Sequence, residues 1–187
     1  FIQSNVNNLD HSQNNINLSI NSNKKNFDKV VITSGAWSNI IANYIGDDFP
    51  LDTERGYHVL FENFNLIKRP IGWSESGFYL VQIDEGLRAA GTVEIAGLQK
   101  PLNKKRVQMI ENQARKLLPK LGKVKKDWIG FRPTLPDSLP IIGPSQKNKN
   151  IFYAFGHQHI GWTLGAITGK IINSLCNNLK TNINIDP

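Results

Sequence analysis

Hydrophobic and polar positions change their period several times along the chain, and each change marks a change of element. Residues 1–25 are rich in Asn, Ser and Ile, with partial alternation at Ile16, Leu18 and Ile20. That pattern predicts one or two edge strands joined by polar turns. Val30-Val31-Ile32 is a continuous apolar run suited to a buried parallel strand, and Gly35 closes it. Over 36–45 the apolar residues Trp37, Ile40, Ile41 and Tyr44 recur at helical spacing, and Gly46 ends that helix.

From position 51 the period becomes two. Tyr57, Val59 and Phe61 alternate with His58, Leu60 and Glu62, and runs at 69–73, 77–83 and 87–95 follow. Turns at Asn63-Phe64-Asn65, Ser74-Glu75-Ser76 and Asp84-Glu85-Gly86 separate them, so antiparallel strands with hairpin connections are expected. Val107, Ile110, Ala114, Leu117 and Leu118 then share one face of a helix over 103–118, capped by Asn103 and stopped by Pro119.

Residues 130–143 carry three prolines, Pro133, Pro136 and Pro140, between Gly130 and Gly143, which excludes regular helix or a central strand across much of the run. Next, the β-forming run 151–155 ends on Gly156 and gives way to a helical pattern from about His159, with Leu164, Ile167, Ile171 and Leu175 as its expected buried face. A strand, a glycine turn and a helix N-terminus leave unpaired backbone N–H groups pointing forward, a setting for an electron-rich oxygen. Arg132, held extended by Pro133, can grip a carboxylate with two parallel hydrogen bonds; the structural alternative is an ion pair with Asp137. Gly161, Gly165 and Gly169 form a stripe read as close packing on a sheet or cofactor.

Composition narrows the picture only a little. The 187 residues, 40% hydrophobic with mean hydropathy -0.33, describe an ordinary globular chain with no run long enough to span a membrane. The lone Cys176 excludes an internal disulfide and fits a reducing compartment. Net charge is +7, concentrated around Lys104-Lys105-Arg106, Arg115-Lys116, Lys120 and Lys125-Lys126. A solvated helix face is the plainer account; contact with an anionic membrane surface is the functional one. Basic and aromatic residues do not interleave as single-stranded nucleic acid requires, so no nucleic-acid partner is expected. His157 and His159 lack a third ligand for a metal, and Ser138, His157 and Asp137 lack any nucleophile-elbow pattern.

Several motifs recur in a fixed order: Thr33-Ser34-Gly35-Ala36-Trp37-Ser38, Thr53-Glu54-Arg55-Gly56-Tyr57-His58, Gly77-Phe78-Tyr79-Leu80, Gly86-Leu87-Arg88-Ala89-Ala90-Gly91-Thr92-Val93-Glu94, the 130–143 run and Tyr153-Ala154-Phe155-Gly156-His157-Gln158-His159. Together, across roughly 27–175, they resemble the C-terminal end of FAD-dependent amine oxidoreductases of the D-amino-acid-oxidase (DAO) superfamily, most closely the bacterial D-amino acid dehydrogenase branch. The resemblance implies a mixed α+β and α/β fold: a Rossmann-like FAD-binding domain from 1–50 and 129–187, with an antiparallel sheet and helix, 51–128, inserted as substrate domain. It also implies that Arg132 and Tyr79 hold the substrate carboxylate, and that Gly35, Ala36, Trp37, Arg132, Gly156, His157, Gln158, His159, Gly161 and Thr163 contact FAD. His58 and Tyr57 fall where the family's chain passes near the flavin.

Gln82 and Gln158 depart from the family, which commonly has proline and glycine there. The glycine-rich pyrophosphate turn is absent from this chain, so a C-terminal fragment is expected. The implied activity is oxidative deamination of D-amino acids, with electrons passed to a quinone or other acceptor, in a cytoplasmic enzyme with a peripheral inner-membrane contact. Glycine or sarcosine oxidation, and a non-catalytic basic module binding membrane or RNA, stay open as alternatives.

Overall fold

A computed structural model of the chain describes residues 1–12, 15–62, 65, 67–181 and 183–185. Of the expected turn at Asn63-Phe64-Asn65, Asn63 and Phe64 lie outside the described residues, as do Asn182, Asp186 and Pro187 of the tail. The chain divides into two compact units, Phe1–Asp52 with Arg132–Pro187, and Thr53–Phe131.

The first unit opens with β1 (Val6–His11), β2 (Ile16–Ile20) and β3 (Asn23–Phe27), an antiparallel sheet in the order β1-β2-β3. This is one strand more than the alternation predicts. The third strand, Asn23-Lys24-Lys25-Asn26-Phe27, is exposed throughout and so carries no burial pattern to read. Asn21 and Ser22 make the tight β2–β3 turn with φ of 46° and 68°, a pair of left-handed residues that asparagine tolerates well.

The second sheet has the order β10-β11-β4, from β4 (Val30–Ile32), β10 (Ile141–Pro144) and β11 (Ile151–Phe155). Strands β4 and β11 run parallel, with Ile151 opposite Val30 and Tyr153 opposite Ile32. After β4 the chain makes one 3-10 turn, Gly35–Trp37, before α1 (Ser38–Ile45), which Gly46 ends at φ 88°. Ser38, Ala42 and Ile45 face inward, so Trp37, Ile40 and Tyr44 lie on the exposed side.

Leu9, Ile16, Ile32, Ala42, Ile45, Ile151, Tyr153 and Phe155 form this unit's core. At its edge Asp47 accepts hydrogen bonds from the Tyr153 hydroxyl at 2.7 Å and Ser145 Oγ at 2.5 Å, which ties the exit of α1 to both β-strands. Helix α3 (Gly161–Cys176) buries Thr168, Ile171 and Ile172. The expected buried face is therefore rotated: Ile171 is inside, Leu164 and Leu175 are half-buried, and Ile167 is exposed.

In the second unit β5 (Asp52–Phe61), β6 (Ile71–Trp73), β7 (Phe78–Ile83), β8 (Gly86–Ile95) and β9 (Val124–Thr134) make one sheet in the order β6-β7-β8-β5-β9. The connections β6–β7 and β7–β8 are hairpins, but β5 pairs with β8 rather than with its successor. Strand β9 takes in residues 130–134 as an edge strand, which the exclusion of a central strand over that run left open. Pro133 is tolerated because β9 lies at the sheet edge, where a missing N–H costs no ladder bond. Helix α2 (Lys104–Leu117) starts where Asn103 Oδ1 accepts the Lys105 N–H at 3.1 Å. It lays Val107, Ile110 and Ala114 on a core with Tyr57, Val59, Phe61, Phe78, Leu80, Leu87 and Ala89. Each large side chain buried there contributes about 1.5–3 kcal/mol.

Candidate active site

The turn after β11 is built by two unusual backbone positions. Gly156 has φ 87°, and a Cβ there would lie 2.5 Å from Leu135 Cδ1. Gln158 has φ 49°, a left-handed conformation that glycine would adopt without strain. Its N–H donates to the Pro133 carbonyl at 3.1 Å and its side-chain Nε2 to the Leu135 carbonyl at 3.4 Å. These bonds fasten the turn to the segment that follows Arg132. His157 Nε2 meets Thr168 Oγ1 at 2.9 Å, tying the turn to α3, and burial lowers the histidine's pKa. His159 is exposed, Gly161 is the first residue of α3 and Thr163 stands exposed in its first turn. The N-cap residue Ile160 has no capping side chain and no acid occupies the first turn, so neither offsets the positive end of the helix dipole.

Gly35, at φ 58°, has open space where a Cβ would be; Ala36 is buried and Trp37 is 46% exposed. Two residues earlier, Thr33 lines a cavity of about 270 Å³ with Val31, His157, Gly165 and Gly169. A Cβ on Gly165 or Gly169 would meet nothing within 4 Å. The glycine stripe is thus not packed against the sheet as one reading expected. It keeps one side of this cavity clear of side chains.

Arg132 is half-buried, and its Nη1 is out of reach of water with no hydrogen-bond partner among the described residues. The alternative ion pair does not form, because Asp137 Oδ1 accepts the Leu139 N–H at 3.0 Å instead. A buried guanidinium nitrogen without an acceptor is a strong demand for one.

Tyr79 belongs to the other unit and is 64% exposed on the sheet face opposite α2. Its ring lies over Gly72 on the neighbouring strand, where a Cβ would come within 2.9 Å of Tyr79 Cε1. His58 shares this face and stacks on Trp128, centroids 4.8 Å apart and planes at 19°. Burial first, then the charges of Arg88 and Lys126, lower its pKa. Tyr57, by contrast, is in the core and donates to Glu94 Oε2 at 2.5 Å, a structural place rather than a site. Sequence reasoning passed over Arg88 and Trp128, whose only signal is the alternation that sets them on the same face as His58.

Much of the basic charge near α2 is engaged internally. Lys104 pairs with Asp127 at 2.6 Å, Arg106 bonds Thr92 Oγ1 and the Val93 carbonyl, and Arg115 bonds Glu111 and the Leu121 and Gly122 carbonyls. Among the described residues no cluster of three or more His, Cys, Asp or Glu is placed to hold a metal ion. No described helix is long and apolar enough to cross a membrane.

A pair of parallel strands beside a glycine-lined helix, joined in sequence to an antiparallel sheet, has the layout of part of a dinucleotide-cofactor domain that carries a second domain. Residues 1–175 match the model of the DAO family, FAD dependent oxidoreductase, and the chain belongs to that family. It is 39% identical over 166 residues to a D-amino-acid oxidase of Bradyrhizobium diazoefficiens, covering 86% of this chain and 39% of the relative. With a D-amino acid dehydrogenase of Vibrio atlanticus it shares 32% identity over 164 residues, 85% of this chain and 39% of the other. The chain thus spans well under half the length of these relatives. Among solved structures, glycine oxidase from Geobacillus kaustophilus has the same fold, with a TM-score of 0.84 at 21% identity over 97% of this chain and 50% of that one.

Proposed function

We propose that this chain is the substrate-holding and partly FAD-contacting portion of an enzyme that oxidises D-amino acids. The observation that carries the reading is the Arg132 guanidinium, half-buried with Nη1 unpartnered, beside a turn fastened by Gln158. The names of the relatives supply the substrate class, and the unfilled glycine stripe, the positive-φ turn and the uncapped α3 fit the bound cofactor. Gly35, Ala36, Trp37, Gly156, His157, Gln158, His159, Gly161 and Thr163 would hold FAD, and Arg132 with Tyr79 would hold the substrate α-carboxylate.

FAD, when bound, would supply the hydride acceptor for the substrate Cα–H, and the imino acid so formed would be converted by water to a 2-oxo acid and ammonia. Arg132 contributes by orientation: two parallel hydrogen bonds to the carboxylate fix the position of the Cα–H bond. A substrate entering with a neutral amine needs no base from the protein. The electrons pass to a quinone-type membrane carrier, and the exposed Lys105, Lys116 and Lys120 give a cytoplasmic enzyme its peripheral contact with the inner membrane.

The test is Arg132→Ala in the flavin-loaded full-length enzyme, assayed on D-amino acids, glycine and sarcosine with quinone and with oxygen. We expect kcat/KM for D-amino acids to fall by about 100-fold, the loss of a charge-assisted pair of hydrogen bonds. Unchanged turnover would remove Arg132 from the site, and faster turnover with oxygen than with quinone would remove the membrane carrier.

A further inference from the structure

We infer that Arg88, paired across the sheet with Leu60 and Val81 and diagonal to His58 and Tyr79, forms a second anion site on the open face of the sheet in the Thr53–Phe131 unit, so that the enzyme prefers D-amino acids whose side chains end in a carboxylate. The inference rests on the functional reading above, in which Tyr79 meets the substrate.

Sheet register assembles the site. Tyr79 pairs with Ala90 on β8, and Ala90 pairs in turn with His58 on β5, so the three stand in one row across the face not covered by α2. Arg88, two residues from Ala90, points to the same face and is a diagonal neighbour of both Tyr79 and His58, about 7–8 Å away between backbones and well within the reach of its long side chain. Ala90 carries only a methyl group, so the row has a low centre between a phenol and an imidazole. Trp128 stacks on the far side of His58 and fixes the plane of that ring; Gly130 lets the indole lie along β9, since a Cβ there would fall 2.0 Å from Trp128 Cζ-edge carbon Cη2.

Charge selects the ligand. Arg55, Arg106 and Arg115 in the same unit are each held by carboxylates or backbone carbonyls. No such partner holds Arg88 among the described residues, and its Nε is shielded from water with no acceptor. Lys126 is near enough to act on His58, as Arg88 is, so the positive field here comes from more than one side chain. A planar fork of donors without an acid, set diagonally from a tyrosine that takes one carboxylate, is built to take another. D-Aspartate and D-glutamate offer that second carboxylate; D-asparagine and D-glutamine match their shapes without the charge.

The experiment uses the flavin-loaded full-length enzyme and reads the ratio of kcat/KM for D-glutamate over D-glutamine, and for D-aspartate over D-asparagine. Wild type is expected to favour the acid by about 10- to 100-fold, the range for a hydrogen-bonded charge pair, and Arg88→Leu to lower that ratio at least tenfold. Arg88→Gln, which keeps the length and a donor, guards against a folding defect, and Arg88→Lys should restore part of the ratio. Glutarate should raise the melting temperature of wild type and not of Arg88→Gln, a readout independent of turnover. A ratio unaffected by all three substitutions, or a wild-type preference for the amides, overturns the site while leaving D-amino acid oxidation standing. No turnover of any D-amino acid overturns both.

Discussion

At the scale of residues, Glu94 is the hub of the Thr53–Phe131 unit. It accepts from the Tyr57 hydroxyl at 2.5 Å and from Asn103 Nδ2 at 3.2 Å, and it lies within 3.7 Å of Arg55 and Arg106 and 3.6 Å of Lys100. The Tyr57 hydrogen bond leads in holding its carboxyl at about 2, with Asn103, Lys100 and Arg55 assisting against the opposing effect of burial. A carboxyl depressed on folding adds stability above its ordinary value near 4.5, and that stability is lost as pH falls towards 2. Denaturation curves between pH 5 and 2 should therefore show a smaller acid-induced loss in Glu94→Gln than in wild type; equal slopes would show that Glu94 is not the sensor. None of this was legible in the chain, because Tyr57, its leading partner, and Arg55 lie more than thirty positions away and meet Glu94 only through strand pairing. The extended backbone at Arg132 and the left-handed turn at Gly156 were legible, since proline restricts the residue before it and glycine permits a positive φ. Arg88 was not, because its meaning depends on strand register.

Among elements, those with a strong local period were read well. The α2 helix starts and stops where its Asn103 cap and Pro119 require, and β4 pairs in parallel as its apolar run suggested. Prolines hid β9 and β10, since a proline-rich run looks irregular until its edge position is known. The pairing of β5 with β8 left no local mark either, because hairpin signals speak only for neighbours in sequence. In α3, glycines on the face next to Thr168 blurred the apolar stripe and shifted its expected direction. The best-supported element gives the clearest prediction: Asn103→Ala removes both the helix cap and a donor to Glu94, and should cost about 1 kcal/mol or somewhat more. Urea denaturation would measure it, and a loss below a few tenths of that value would mean the cap is replaced by water.

At the scale of the whole molecule, each unit has a core drawn only from its own residues. Thr53–Phe131 contains a five-stranded sheet with strand neighbours β5 and β9 and one capped helix over its core. Expressed alone, this segment should show a single cooperative thermal transition, as expected for a small domain with its own core. A featureless circular dichroism melt would refute that independence. The Arg55 guanidinium lies 5.7 Å from the centre of the Phe131 ring, so a residue near the segment's start stands beside its last one. A module whose two ends meet can be lifted out of one gene and set into another without stretching the host chain. Exchanging that cassette between relatives would show what the Thr53–Phe131 unit contributes by itself.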